Sequence, residues 1–565
     1  MNFCYDETYN FFYLGEEQPS KGFYRRHILD QQHHLIGVNV ETMSLHERLP
    51  LGIGIATSPS TAFYFPLFPD ESPLIPWHLL RDPAVTKCFH NGIYDLHSMR
   101  AYDLDMTNLF DTNIASRLQC NKNNDLHTLA FRVNRFTNND KDLLADYKVH
   151  TMDRLPRDVL ARSCMEKAMT TLALTHYFLP VTDINYMSMM MEATAVMVEM
   201  SWRGLLVDQD YRQNLEKQLI SDIEYMEQFA RDEYGFNPGS PEQCGYVLAE
   251  RGAYNIFKRL PFTNSKKKKV LSTDKDKVLA KMTDPLAKFI LEYRNAKYIY
   301  THYIQPYAGV ERAYTHFHLD SATGRPSSYS ENMQNIPPKK KDSRNFRGMF
   351  LPDNGIWTDM DNSQVELREL GYLSGDREMN YIFSLPLYLP DGSKNIAADI
   401  HQQTANATAV DRNKAKNGNF AFVYGATEQT LMETLGTNDL QAVREWTGLW
   451  SIKFPQAWDW IHDVQEFGVN HGYVTTMMGR KLRIPNEFEE SEDGRKRKAV
   501  NYGIQGSAAE VLIKQLIAVK DHSLSLQVHD QILFDGYIDT SELRFLEDVT
   551  PLHIPIEVNY VARWE

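Results

Sequence analysis

The chain has 565 residues, a formal net charge of −14, and 42% hydrophobic and 24% charged residues. At roughly 150 residues per domain this length implies three to four domains, and the balanced composition excludes a disordered tail, a collagen-like fibre and a disulfide scaffold. Cys4, Cys88, Cys120, Cys164 and Cys244 are scattered, without a CxxC pair or a histidine at zinc spacing, so reduced thiols in a cytoplasmic setting are expected. No run of about 18 apolar residues and no signal-peptide pattern occurs, which argues against a membrane partner and against secretion.

In chain order, residues 35–67 read as strands: Leu35 to Val40, Gly52 to Ala56, then Phe63-Tyr64-Phe65. Helical patterns follow around Leu126 to Ala130 and Met165 to Leu174, so a mixed α/β domain to about residue 185 is expected. Tyr186 to Ala230 reads as one long amphipathic helix, which Phe236-Asn237-Pro238-Gly239-Ser240-Pro241 interrupts, and Phe289 to Tyr300 resumes helix. The last third mixes strands at 355–360 and 524–528 with long helices. Charge is uneven: Lys258 to Arg347 holds 19 lysines and arginines against 8 acids, including the runs Lys266 to Lys269 and Lys339 to Lys341. Either run alone suits a solvated surface; together they suggest a track for a phosphate backbone.

Three segments point to chemistry. Asp361-Asn362-Ser363-Gln364-Val365-Glu366-Leu367-Arg368 places an acid where a strand gives way to a helix. Read alone, that acid is better explained as a cap. Gln527-Val528-His529-Asp530-Gln531-Ile532-Leu533-Phe534 reads as a hairpin with Asp530 at its tip. Two aspartates from separate strands are what a pair of Mg²⁺ ions about 4 Å apart requires for phosphoryl transfer. In the third, Arg412, Lys416, Phe420 and Tyr424 recur every four residues and share one helix face about 18 Å long. Two cations followed by two aromatics fit a triphosphate followed by a sugar and base. A core stripe explains the aromatics but not Arg412 and Lys416.

These segments resemble motifs A, B and C of the family A DNA polymerases. Asp361 to Arg368 matches D-Y-S-Q-x-E-L-R with Asn362 in place of the aromatic. Arg412, Lys416, Phe420, Tyr424 and Gly425 match the helix motif in full. Val528-His529-Asp530-Gln531 matches V-H-D-E with the last acid lost. Thr323 to Ser328, Asn332 to Pro337, Gly472 to Arg480 and Asn501 to Ala509 resemble smaller family phrases in the family order. The resemblance implies an RNase H-like 3′–5′ exonuclease-type domain (1–185) followed by a right-hand polymerase. Its thumb would be 186–310, its palm 311–394 and 491–565, and its fingers 395–490. It implies a monomer that uses primer-template DNA and deoxynucleoside triphosphates, in the host cytoplasm if the compact chain is a phage replicase with no preceding 5′-nuclease.

The implied roles are specific. Asp361 and Asp530 hold two Mg²⁺ ions, and Lys416 also protonates the leaving pyrophosphate. Arg412, Lys416, Phe420, Tyr424, Glu366, Gln364 and His529 meet the nucleotide, with Glu366 excluding the ribose 2′-oxygen. Arg325, Asn332, Gln334, Asn335, Asn501, Gln505, Lys267 and Lys268 meet primer-template. In the amino-terminal domain the family's four carboxylates are incomplete: Asn39 stands where an aspartate belongs, Glu41 and Asp95 are present, and Lys167 takes the place of the last acid. An ammonium and an amide in place of two anions remove most attraction for a metal pair. A weak or inactive nuclease is therefore expected, with Lys167 paired to Glu41 or Asp95; the opposite reading makes Glu166 the replacement ligand.

Overall fold

The computed structural model describes residues 2–6, 9–13, 33–43, 49–67, 75–102, 106–135, 137, 139–265, 268–339 and 344–565. The amino-terminal part is built on a seven-stranded mixed sheet. Its strands are β1 (Asn2–Asp6), β2 (Tyr9–Tyr13), β3 (Leu35–Thr42), β4 (Pro50–Ser58), β5 (Thr61–Pro66), β6 (Thr86–Phe89) and β7 (Leu109–Asp111), in the order β1-β2-β5-β4-β3-β6-β7. The β3–β4 and β4–β5 pairs are antiparallel, while β6 runs parallel to both β3 and β7.

Helix α1 (Gly92–Met99) follows β6, and α2 (Arg157–Phe178) lies across β3 and β4. Apolar residues such as Cys164, Met165, Ala168, Leu172 and Phe178 pin α2 there. Close approach is possible because Gly37 has no side chain: a Cβ there would lie 2.1 Å from the Ala168 carbonyl oxygen.

The single helix expected over 186–230 is two. Helix α3 (Ile184–Arg203) ends at Gly204, whose φ of 61° suits glycine, and α4 (Gln209–Tyr234) begins after Asp208 caps it. Between them Leu205–Val207 forms β8, which pairs with short strands at Arg312–Ala313 and Phe350–Leu351. A strand partner supplied from more than 100 residues away overrides the local helical pattern. Helix α5 (Pro285–Ile299) packs against α4, and Ala230, Phe236, Leu248, Leu286 and Ile290 form their own small core.

The carboxy-terminal sheet has the order β10-β11-β9-β12, from β9 (Trp357–Asn362), β10 (Leu524–Val528), β11 (Gln531–Asp535) and β12 (Ile556–Val561), all antiparallel. Its apolar face is continuous with the amino-terminal domain. One core runs from Phe110 and Leu172 through Met187, Met190 and Met197 of α3 to Leu512, Leu526 and Phe534. A second core belongs to helices α6 (Val365–Ser374), α7 (Ile400–Thr408), α8 (Arg412–Val423), α9 (Leu440–Lys453) and α10 (Pro455–His471), where Phe422 packs on Trp446 and Trp450. The 27-residue helix α11 (Glu492–Ala518) joins the two, with Val500 and Ile504 in one and Leu512 and Leu516 in the other.

Helix α8 is seated by contact with α9. A Cβ at Gly418 would come within 2.5 Å of the Trp446 ring, and Trp446 is itself buried. Gly418→Ala is expected to destabilise the protein by about 1–3 kcal/mol through overpacking, despite the better helix propensity of alanine. Thermal and urea unfolding check this; an unchanged midpoint would show that α8 does not depend on that contact.

Candidate active site

Asp361 lies on β9, the strand flanked on both sides within its sheet. Its backbone pairs with Gln531 of β11 on one side and Glu557 of β12 on the other. Asp530 is the residue just before Gln531, in the two-residue turn His529-Asp530 between β10 and β11. The hairpin expected from sequence therefore forms, and its tip lies beside the end of β9. The Asn362 backbone N–H donates to the Asp530 carbonyl at 3.2 Å.

Burial and the nearby Asp530, then Asp359 and Glu557, push the Asp361 carboxyl up to about 7. Burial likewise raises Asp530, against the attraction of Arg325. Among the described residues no other side chain hydrogen-bonds to either carboxylate, and the Asp530 carboxylate accepts from its own backbone N–H. Asp359 sits two residues before Asp361 on the same face of the strand, but Gln531 donates to both of its oxygens at 2.8 Å. The amide of Gln531, where the resembled motif has an acid, thus serves Asp359, and its oxygen accepts from the Trp564 indole at 3.2 Å.

Helix α6 starts three residues beyond Asn362, after Gln364, which has a φ of 54°. This bend turns Glu366 back toward the site. Glu366 is buried, accepts a charge-assisted bond from Arg325, and accepts from the Tyr424 hydroxyl at 3.0 Å. Burial, then Glu366, pushes Tyr424 up to about 12, so it stays a neutral donor. Asp411 caps α8, on which Arg412 and Lys416 are exposed and Phe420 half-buried; Tyr424 caps its other end. The Phe420 and Tyr424 rings lie stacked 6.4 Å apart. Arg412 holds Asp399 at 2.7 Å. His401, against Phe420, is driven down to about 4 by burial and is therefore neutral.

The remaining predicted contacts divide. Asn335 is exposed, and Asn332, Asn501 and Gln505 are half-buried, with Asn332 accepting from Ser328 at 3.1 Å. Gln334 is buried, and its amide donates to the Gln527 side chain at 2.8 Å and to the backbone carbonyls of Gln527 and Pro326. His529 is more than a third exposed, and the partial burial of its ring holds it below its ordinary value. Lys267 lies outside the described residues, as does the Lys268 side chain; the Lys268 backbone is in a short hairpin with Phe262–Ser265.

In the amino-terminal domain, Lys167 of α2 donates to Glu41 at 2.8 Å and to Asp140 at 2.5 Å. Burial opposes its charge, but Glu41 and Asp140 together hold the ammonium above its ordinary value. Of the two partners expected, Glu41 is met and Asp95 is not. Asp95 instead accepts from the Val40 N–H at 2.7 Å, and burial raises it well above the usual carboxylate range. Asn39 donates to Glu41 at 3.2 Å. Glu166 pairs with Arg162, one turn back on the same helix, and not with the Asn39–Glu41–Asp95 group.

Sequence reasoning missed Asp140, Asp359, Asp399 and Glu369. Asp359 was legible from strand alternation with Asp361; Asp140 and Asp399 carry no local signal. Glu369 of α6 is fully buried with both carboxylate oxygens unpartnered among the described residues.

Residues 209–551 match the model of DNA polymerase family A, and residues 27–183 match a 3′-5′ exonuclease model. The chain therefore belongs to DNA polymerase family A, with a 3′–5′ exonuclease domain before the polymerase domain. It is 28% identical over 570 residues to DNA polymerase I of Chloroflexus aurantiacus, covering 90% of this chain and 58% of that protein. It is also 28% identical over 446 residues to DNA polymerase I of Bacillus subtilis, covering 72% and 49%. The chain thus spans about half the length of these curated relatives. The polymerase domain of Pol1 from M. smegmatis, solved in complex with DNA primer-template and dNTP, shares the fold with a TM-score of 0.75 at 23% identity, covering 97% of this chain and 98% of that one. Among the described residues no helix is long and apolar enough to cross a membrane.

Glu369 gives the fold a pH signature. Burial, then Glu510, pushes it up to about 8 from an ordinary 4.5. Between those values the folded state keeps a proton that the unfolded state has lost, so its stability contribution is lost as pH rises from 4.5 through 8. The difference in Tm between Glu369→Gln and the parent is expected to shift toward the variant by a few degrees from pH 5 to pH 8.5. Calorimetry at both pH values checks this; a pH-independent difference contradicts it.

Proposed function

We propose that the chain is a template-directed DNA polymerase that adds deoxynucleotides to a primer 3′ end, with residues 186–310 as thumb, 311–394 and 491–565 as palm and 395–490 as fingers. The observation that supports it best is the pair Asp361 and Asp530, brought together at one strand end with no cation among the described residues bonded to either carboxylate. Two adjoining buried carboxylates, Asp530 raising the proton affinity of Asp361, form a hard, oxygen-donor site, and Mg²⁺ ions fit it. Bound there, two such ions supply activation of the primer 3′ oxygen and neutralisation of charge on the leaving pyrophosphate.

The chain's own residues do the rest. Arg412 and Lys416 are exposed on α8 and are assigned to neutralising triphosphate oxygens, and Lys416 is also assigned the proton transfer to pyrophosphate. Arg412 exchanges Asp399 for a phosphate when the triphosphate enters. Phe420 and Tyr424 offer a stacking face for the base. Glu366, fixed by Arg325 and Tyr424, fills the space a ribose 2′-hydroxyl needs. Arg325, Asn332, Asn335, Asn501 and Gln505 are assigned to primer-template, consistent with the primer-template bound by the M. smegmatis relative. Gln334 is assigned the indirect role of bracing the Gln527 end of the hairpin.

The amino-terminal domain is proposed to lack working proofreading. Lys167 places a fixed positive charge against Glu41, where the family pattern has an acid, and Asn39 cannot supply the missing anion. Glu166 is held by Arg162 and does not replace it.

Both halves are read from one labelled primer-template. With Mg²⁺ and all four deoxynucleotides the parent extends the primer, while Asp530→Asn is expected to lose at least about 10³-fold in single-turnover rate. With Mg²⁺ or Mn²⁺ and no nucleotide, a mismatched primer is expected to stay intact. Extension by Asp530→Asn at the parent rate overturns the first half, and steady shortening of the primer overturns the second.

A further inference from the structure

The site departs from the resembled motif at Asn362, and the departure has a partner. Asn362 and Gln515, 153 residues apart, are both buried. Their side-chain amides bond reciprocally: Asn362 Nδ2 donates to Gln515 Oε1 at 2.8 Å, and Gln515 Nε2 donates to Asn362 Oδ1 at 2.8 Å. The second Asn362 proton goes to the Asp530 carbonyl at 3.2 Å, and the second Gln515 proton to the Leu546 carbonyl at 3.2 Å. All four amide protons and both oxygens are used. Fully satisfied buried networks of this kind specify one arrangement, because any other leaves a buried polar group unpaired.

Their placement gives the network a task. The Asp530 carbonyl receives two donors from one residue, the backbone N–H and the side-chain amide of Asn362. Asn362 directly follows Asp361. The turn bearing Asp530 has only two residues and includes His529 at a φ of 56°, a sparsely populated conformation for a non-glycine residue. Two like charges push such a turn away from β9. Gln515, on the long helix α11, holds the Asn362 amide in the orientation that opposes this.

We propose that the Asn362–Gln515 amide pair is a positioning device for the metal-binding carboxylates, fixing the separation of Asp530 from Asp361. The inference rests on reading Asp361 and Asp530 as metal ligands. Both amides are fully bonded within the protein, so Asn362 acts through the Asp530 peptide and Gln515 acts through Asn362.

The test uses the full chain and Mn²⁺ alone, without DNA or nucleotide, with bound metal followed by electron paramagnetic resonance. Asn362→Ala is expected to raise the half-saturating Mn²⁺ concentration roughly 10-fold, the size usual for groups that orient metal ligands. Gln515→Met, which keeps the volume, is expected to raise it about 3-fold. The double variant is expected to bind no more weakly than Asn362→Ala, because the two act in series. Tm is read in parallel. A lower Tm with parent Mn²⁺ affinity in Asn362→Ala makes the pair merely structural and overturns the proposal, as does additive loss in the double variant. If Asn362→Ala does not fold, unchanged affinity in Gln515→Met overturns it alone and weakened affinity supports it. Asp530→Asn marks the site. If the parent binds no more Mn²⁺ than Asp530→Asn, the ligand assignment and this inference fall together. If affinity depends on Asn362 but the parent extends no primer, only the polymerase reading falls.

Discussion

Two carboxylates, one on a strand and one at the neighbouring turn, repel each other, and backbone hydrogen bonds keep Asp361 and Asp530 there. Asp361 is locked into a strand paired on both sides, and Asp530 sits at a tight turn whose peptide is tied to that strand. Three other acids have partners: Gln531 donates to Asp359, Arg325 and Tyr424 hold Glu366, and Arg412 holds Asp399. Asp361 and Asp530, the pair the family resemblance names, accept from no other side chain among the described residues. Selective pairing separates a cation site from an ordinary acidic surface.

The amino-terminal domain solves the same electrostatic problem in the opposite way. It keeps the sheet, the crossing helix and two of the four family acids, but places an ammonium among them. Lys167 satisfies Glu41 and recruits Asp140, so the polar centre of the domain closes on itself. The domain still contributes to the protein, because its helix α2 and the following α3 share one continuous core with the carboxy-terminal sheet. Packing and the polar centre of this domain rest on different residues: the shared core is apolar, while Lys167, Glu41 and Asp140 pair among themselves.

Much of this was legible in the sequence, for definable reasons. Strands β3 to β5 and the Gln527 to Phe534 hairpin show through because alternation and turn chemistry are local. The Arg412 to Tyr424 face shows through because a four-residue period maps directly onto a helix. The break at Gly204 was hidden because Leu205–Val207 becomes a strand only through partners at 312–313 and 350–351. Asn362 was visible as a departure from a motif, but its meaning depends on Gln515, which no spacing rule connects to it. Asp140 was hidden for the same reason, and the buried Glu369 shows no sign of its environment in an otherwise helical pattern. Gln334 sits in a motif that resembles a primer-template stretch, yet its burial is a tertiary fact.

The account stands on where divalent metal binds. Crystals of the full chain with primer-template, a non-hydrolysable deoxynucleotide and Mn²⁺ measure this through anomalous scattering. Peaks about 2.2 Å from the carboxylate oxygens of both Asp361 and Asp530, and none beside Lys167, are the expected result. An ordered ternary complex with no peak at that pair, or with metal bound by Glu41 and Asp95 instead, would contradict it.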